Sequence, residues 1–266
     1  MLNLWWRFQM NSIITSSNNN IVKKVKNLKL YKNRKKTKLF LVEGYKMAQE
    51  AIESKVSIEN IILAENANLD LNAELQKKVT RVKNSIFTQI SDLKNPEGII
   101  LICKEIKKET KFDENLLIVD EIRDPGNMGT IIRTAEAFNY KNILLLGNCV
   151  DIYNSKVLRA TMGSIFRVSA NQIDIKTLES LRKTHMLLAT TLDEDSIDIT
   201  SMTKVPKHAI IIGNESHGVS KEVSDLAHKK VIIPISKNID SLNAAIASSI
   251  SMFYLNLIYS KKEKEV

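Results

Sequence analysis

The chain has 266 residues, 44% of them hydrophobic, and a formal net charge of +9. That length exceeds the usual single-domain size and points to two domains, each with apolar residues enough for a core of its own. Two cysteines without a CxxC pair and four histidines without ligand spacing argue for a reducing compartment and against a structural zinc.

Residues 1–20 have no periodicity and end in a Ser/Asn run, so they are expected to be a disordered extension. The opening MLNLWWRF is too short for a secretion signal. Met10 is a more ordinary start, which makes residues 1–9 readable as an upstream extension of the frame. The charge is unevenly placed. Residues 1–42 hold ten Lys/Arg and no Asp/Glu, while the rest hold 29 basic against 30 acidic residues. A run containing Lys32, Arg34, Lys35, Lys36 and Lys38 reads as a surface for nucleic acid or for an anionic membrane.

From Ile21, IVKKVKNLKLY places Val22, Val25 and Leu28 on one face of a short basic helix. Strand LFLVEG follows, then helix YKMAQEAIES with Tyr45, Ala48 and Ile52 inward, strand IENIILAE, helix LNAELQKK, strand VTRVK, helix IFTQISDL and strand GIILICK. This alternation predicts a compact α/β unit over 21–103. Residues 104–115, KEIKKETKFDEN, are charged without a buried face and read as a linker.

A second unit covers 116–266. Strand Leu116–Val119 is apolar on both sides, as in a covered parallel sheet. Strands are expected at NILLLG, FRVSA, HMLLATT, HAIIIGNES and VIIPIS, with helices after Asp124 and over SKVLRATMG, IKTLESLRK and KEVSDLAH. Pro234 stops the last strand and Ser241 is placed to cap the final helix. That helix carries one apolar stripe of Ile246, Ile250, Phe253 and Leu257 and a second of Leu242, Ala245, Met252 and Leu255. Two apolar sides need two partners, here the domain's own sheet and a second copy of the chain. Outside this Ser- and Asn-bearing helix no uncharged apolar stretch of about twenty residues occurs. A cytoplasmic protein is expected, with no membrane partner.

Three strand ends carry polar, Gly-bearing turns: Asp124-Pro125-Gly126-Asn127 with Arg133 beyond it, Gly213-Asn214-Glu215-Ser216-His217-Gly218, and Pro234 to Asn243. In open parallel sheets ligands gather at such ends. None of the three matches the dinucleotide fingerprint or the phosphate loop.

Together DPGNMGTIIRTA, GNESHG and IPISKNIDSLN resemble the three motifs of the SpoU/TrmH family of RNA ribose 2′-O-methyltransferases, within the SPOUT superfamily. The resemblance extends over nearly the whole chain from Ile21, with KNRKKTKLFLVEG at the place of the family's small RNA-binding domain. It implies an α/β fold whose C-terminal segment is threaded into a trefoil knot, S-adenosylmethionine as cofactor, no metal, a homodimer, and RNA, most of all 23S rRNA, as substrate.

By similarity Asn127, Arg133, Glu215, Ser241 and Asn243 form the catalytic set, and Thr190, Gly213, Ile233 and Leu242 line the cofactor site. Arg133 is assigned in such enzymes to the 2′-hydroxyl, as base or as positioning group. A guanidinium pKa above about 12 favours positioning. The chain departs from the family at Lys237, where Gly is common, and at Asp240 and Val219. The Lys237 change bears on the shape of the cofactor loop, because glycine serves where φ is positive or a ligand nears the backbone. A tRNA 2′-O-methyltransferase and a knotted RNA-binding protein without catalysis are the alternatives.

Overall fold

A computed structural model describes residues 13–263, and the chain divides after Ile106 into two units. The first unit runs α1 (Asn20–Leu28), α2 (Tyr31–Thr37), β1 (Leu39–Glu43), α3 (Tyr45–Glu53), β2 (Ile58–Ala64), α4 (Ala73–Gln76), β3 (Val79–Val82), α5 (Asn84–Ile90) and β4 (Ile99–Lys104). Its sheet has the order β1-β4-β2-β3 and is mixed. Strand β4 is antiparallel to both neighbours, and β2 and β3 are parallel. Val22, Val25 and Leu28 of α1 pack with Ile62, Val82, Phe87 and Ile100, so the basic segment is anchored by its apolar stripe.

Order begins earlier than expected. Ile14 bridges Val82 at the sheet edge, its N–H donating to Arg81 O and its carbonyl accepting from Lys83 N. Two adjacent apolar residues, Ile13 and Ile14, leave no period for a sequence to show. Asn19 then caps α1 through Ile21 N. The part of the expected disorder that falls on residues 1–12 lies outside the described residues. Helix α3 buries Met47, Ala48 and Ala51, whereas Tyr45 is exposed and Ile52 half-buried. The small alanines face inward and shift the phase from the one the larger side chains suggested.

The second unit runs β5 (Leu116–Asp120), α6 (Pro125–Ala137), β6 (Asn142–Leu146), α7 (Ser155–Thr161), β7 (Ser169–Ile173), α8 (Ile175–Leu181), β8 (Met186–Thr190), β9 (Ile197–Asp198), β10 (His208–Ile212), α9 (Lys221–Leu226), β11 (Lys229–Ile232) and α10 (Ala244–Glu263). Its seven strands, in the order β7-β6-β5-β10-β8-β11-β9, are all parallel. The expected parallel α/β domain is therefore present, and β5 and β10, whose ends carry two of the polar turns, are neighbours in its middle.

Two local expectations change. Phe166 and Val168 are buried, but Phe166 closes a 3₁₀ turn at Ser164–Phe166, Val168 lies in the bend after it, and β7 starts only at Ser169. Residues 107–115 are not loose either. Lys111 N donates to Asn142 Oδ1 at 2.8 Å, Lys108 Nζ to Phe166 O at 2.8 Å, and Asn115 Oδ1 accepts from His208 N at 3.0 Å. A segment with no apolar face is thus held through its polar groups.

His208 is wholly buried. Because Pro206 O can only accept, Nδ1 carries the proton, which leaves Nε2 to accept from the Tyr140 hydroxyl at 2.6 Å. Burial first, and the nearby His185 in addition, push the His208 pKa down to about 4. The unfolded chain therefore takes up this proton at higher pH than the folded one, and stability is full above about pH 6.5 and declines between there and pH 4. The loss from this side chain alone is about 3 kcal/mol. Urea unfolding of His208→Gln is expected to fall less steeply with acid than wild type over that window. Parallel pH profiles of the two proteins would contradict the assignment.

Candidate active site

Strand β5 ends at Asp120, whose carboxylate accepts from Ser220 N at 2.8 Å and so ties the β5 end to the far side of the β10 loop. Glu121 follows with φ +55, a left-handed turn that few non-glycine residues adopt. Its carbonyl accepts from Asn214 Nδ2 at 2.7 Å. Asp124 caps α6 by accepting from Asn127 N at 2.7 Å, and Pro125 occupies a first-turn position where no N–H is needed. With its N–H taken by the cap, Asn127 presents its side chain outward.

After β10 the chain makes a tight turn. Asn214 and Gly218 exchange backbone hydrogen bonds at 2.9 Å, and Ser216 N donates to Asn214 Oδ1 at 2.8 Å. A Cβ on Gly213 would lie 2.0 Å from Gly218 C and from Val219 N, so only glycine fits. At the third end the cap differs from expectation. Asn243, not Ser241, starts α10, accepting from Ala245 N at 2.9 Å and Ile246 N at 3.2 Å. Both residue types cap well, but the chain uses two more residues before the helix begins.

These three ends meet at one side chain. Asn243 Nδ2 donates to Asn127 Oδ1 at 2.8 Å, and Asn127 Nδ2 donates to Glu215 Oε1 at 2.9 Å. A carboxylate accepts only and an amide nitrogen donates only, so the orientation of Asn127 is fixed. Asp124 N also approaches Glu215 Oε1 at 3.4 Å, while Glu215 Oε2 takes no protein donor among the described residues. Arg133 is not joined to this cluster. It lies exposed on α6, roughly 1.7 turns beyond Asn127, with no ion pair among the described residues. Glu136 pairs instead with Arg167.

Beside the cluster a cleft of about 770 Å³ is lined by Thr190, Gly213, Ile233 and Leu242, with Glu215 and Ser241 also in its wall. Clefts that enclose a small ligand are typically ~300–1,000 Å³. Ile212, Val219, Ile233 and Ile235 give it apolar walls, and Asp193, Asp225 and Asp240 give it carboxylates. Lys230 is held at 2.8 Å by Asp193 and at 3.1 Å by Asp195. Ser224, also in the lining, has a buried hydroxyl with no partner among the described residues. Apolar walls, a negative balance and an unused hydroxyl suit S-adenosylmethionine, which joins a flat ring and polar edges to a cationic sulfur. Sequence reading missed Ser224, Asn214 and Glu121. Only Asn214 lay within a motif that could have pointed to it. Among the described residues no His/Cys/Asp/Glu group is arranged to hold a metal.

In the first unit Lys32, Lys35 and Lys36 are exposed on α2 and Lys38 pairs with Glu105 at 3.2 Å. Arg34 leaves the expected RNA-contact set. It is buried, and its Nη1 donates to Leu28 O at 2.9 Å and Lys29 O at 2.8 Å, closing the end of α1.

The SpoU rRNA Methylase family model matches residues 114–253, and the MRM3-like substrate binding domain matches residues 19–101. The chain is 26% identical over 243 residues to 23S rRNA (guanosine(2553)-2′-O)-methyltransferase RlmP of Bacillus subtilis, covering 91% of this chain and 98% of that protein. It is 29% identical over 282 residues to the mitochondrial rRNA methyltransferase 3 of Mus musculus, covering 83% and 68%. An AdoMet-bound rRNA methyltransferase from Sinorhizobium meliloti superposes with a TM-score of 0.82 at 28% identity, covering 92% of this chain and 97% of that one. Sheet, cleft and likenesses together define an S-adenosylmethionine-dependent RNA methyltransferase. The chain belongs to the SpoU rRNA methylase family.

Asn243 has two separable tasks. Asn243→Ala is expected to lower unfolding stability by about 1 kcal/mol through loss of the α10 cap. Asn243→Asp keeps the cap but removes the donor to Asn127, and is expected to lose only the contribution of that bond, about 1 kcal/mol, while methyl transfer falls at least tenfold. Denaturant unfolding and a labelled-methyl assay on the same preparations read the two tasks, and full activity of Asn243→Asp would remove the amide bridge from the mechanism.

Proposed function

We propose that the chain methylates a ribose 2′-hydroxyl of RNA, with 23S rRNA as the substrate class. The carrying observation is the Asn243–Asn127–Glu215 hydrogen-bonded chain at the mouth of the cleft. RlmP, a 23S rRNA 2′-O-methyltransferase by name, matches the chain almost end to end. Thr190, Gly213, Ile233 and Leu242 would hold the cofactor, which supplies a methyl group on a positively charged sulfur. Asn127 fixes Glu215 through Oε1, so that Oε2 is free to accept from the incoming hydroxyl. Ser241 holds the nucleotide at the rim. Arg133 acts as a positioning group, its fork suited to a phosphate flanking the target ribose.

Two features of assembly belong to the same proposal. First, the chain after β11 is threaded as a trefoil knot. Strand β11 lies outside β8 in the sheet, yet α10 packs back on α6. Residues 233–243 must therefore cross the ends of β8 and β10, where the loops after both strands line the same cleft. Second, the protein is a homodimer. Ile246, Ile250, Phe253 and Leu257 form an apolar stripe along α10, and each is between 39% and 53% exposed, although Ala245, Met252 and Leu255 on the other side are buried. A stripe of this kind marks an interface. We also place the protein in the cytoplasm, where rRNA is made and where free Cys103 and Cys149 stay reduced. Among the described residues no helix is long and apolar enough to cross a membrane.

Arg133→Ala is expected to abolish methyl transfer while cofactor affinity, by calorimetry, stays within about tenfold, roughly 1.4 kcal/mol. Near-normal turnover of a folded, cofactor-binding variant would refute the role. Ile250→Lys is expected to convert a dimer into a monomer in sedimentation velocity. A wild-type monomer at micromolar concentration would remove the second copy from the account.

A further inference from the structure

We infer that the corner between α1 and α2 is a stacking platform for an unpaired nucleotide of the RNA, with Tyr31 as the ring on which the base rests. This rests on RNA being the substrate, as proposed above, and adds which part of the RNA is recognised and by which side chain.

Tyr31 opens α2 and Leu30 precedes it as the N-cap residue, and they are 56% and 53% exposed. No polar atom of the described residues takes the Tyr31 hydroxyl, and no ring packs on it. The corner that carries them is rigid. The buried Arg34 guanidinium ties α2 to the carbonyls of Leu28 and Lys29, and Asn33 Nδ2 donates to Asn27 O at 2.9 Å. With the backbone beneath it fixed, only the two side-chain torsions of Tyr31 remain to be ordered when a base settles on the ring.

The charge around it completes the site. No acidic residue occurs before Glu43. Three acids near this region are already paired, Glu59 with Lys24, Asp92 with Lys29 and Glu105 with Lys38. Lys32, Lys35 and Lys36 remain exposed on α2 without an ion pair among the described residues. An aromatic face beside uncompensated lysines is how proteins hold single-stranded nucleic acid, the base stacked and the phosphates neutralised. A membrane surface fits less well, because α2 spans seven residues and offers no continuous apolar face. The corner also falls inside the match to a substrate binding domain at 19–101.

The test separates stacking from charge. The full chain is titrated against a hairpin RNA with an unpaired uridine-rich loop and against a blunt duplex of the same stem, over a range of salt. Tyr31→Ala is expected to weaken hairpin binding about 5- to 150-fold at every salt, with the salt slope and the duplex affinity unchanged. Tyr31→Phe is expected to bind like wild type. Removing both Lys35 and Lys36 is expected to reduce the slope by about 1.4, since each single-strand phosphate contact contributes about 0.7. Equal hairpin binding by Tyr31→Ala, an equal loss on the duplex, or tighter binding to phosphatidylserine vesicles than to the hairpin overturns the inference. Methyl transfer to total RNA by the wild-type chain reads the parent proposal separately, so an active enzyme with an indifferent Tyr31 would sink only the platform.

Discussion

The side-chain amide of Asn127 is hydrogen-bonded at both ends, and the two partners lie 88 and 116 residues away in the chain. Each such bond at an exposed position adds at most about 1 kcal/mol to stability, so the pair matters less for holding the protein together than for where it puts atoms. One acceptor and one donor fix the amide plane, and the amide plane fixes Glu215. A carboxylate whose Oε1 is already occupied presents Oε2 in one direction. That is what a reaction between a sugar hydroxyl and an activated methyl group requires of its surroundings, since the protein supplies alignment and a place for the proton.

The topology makes this meeting possible. A parallel sheet delivers every strand end to one edge, and β5 and β10 are neighbours there despite the residues between them. The DPGN turn and the GNESHG turn are therefore adjacent by construction. Cross-ties then remove their remaining freedom: Asp120 to Ser220, and the Glu121 carbonyl to Asn214. The third end arrives differently. Strand β11 is two places from β10, and residues 233–243 lead from it to α10, which packs on α6. Those eleven or so residues include Lys237, and the cap falls on Asn243 rather than Ser241 because the helix starts where the amide reaches Asn127.

Much of this was readable from residue types and spacing. Strands of five or so β-branched and leucine residues, buried on both faces, announce a covered parallel sheet, and Asp124 before Pro125 announces a helix start. The residues that misled did so for identifiable reasons. Arg34 sits in a run of lysines, and a charge count does not say which guanidinium folds back under the last carbonyls of a neighbouring helix. Phe166 and Val168 have the apolar character of a strand but satisfy it in a 3₁₀ turn and the bend after it. Residues 107–115 have no buried face, yet their polar groups answer buried donors and acceptors of the sheet. For residues 107–115 the deciding partners are remote in sequence, whereas for Arg34 they are carbonyls five and six residues back that only the turn between two helices brings within reach. The two-sided α10 was legible because burial and exposure follow helical periods, and the stripe of Ile246, Ile250, Phe253 and Leu257 stays 39–53% exposed even with Phe253 packed on Phe138.

The central claim is chemical: the group that receives the methyl is a ribose oxygen. A 2′-O-methyl group blocks attack of that oxygen on the adjacent phosphate, so the linkage it marks resists alkaline hydrolysis. RNA incubated with the chain and labelled S-adenosylmethionine, then hydrolysed in alkali, is expected to release the label in alkali-resistant dinucleotides. Label recovered as a methylated base in mononucleotides, or no label transferred by a chain that binds the cofactor, would contradict the account.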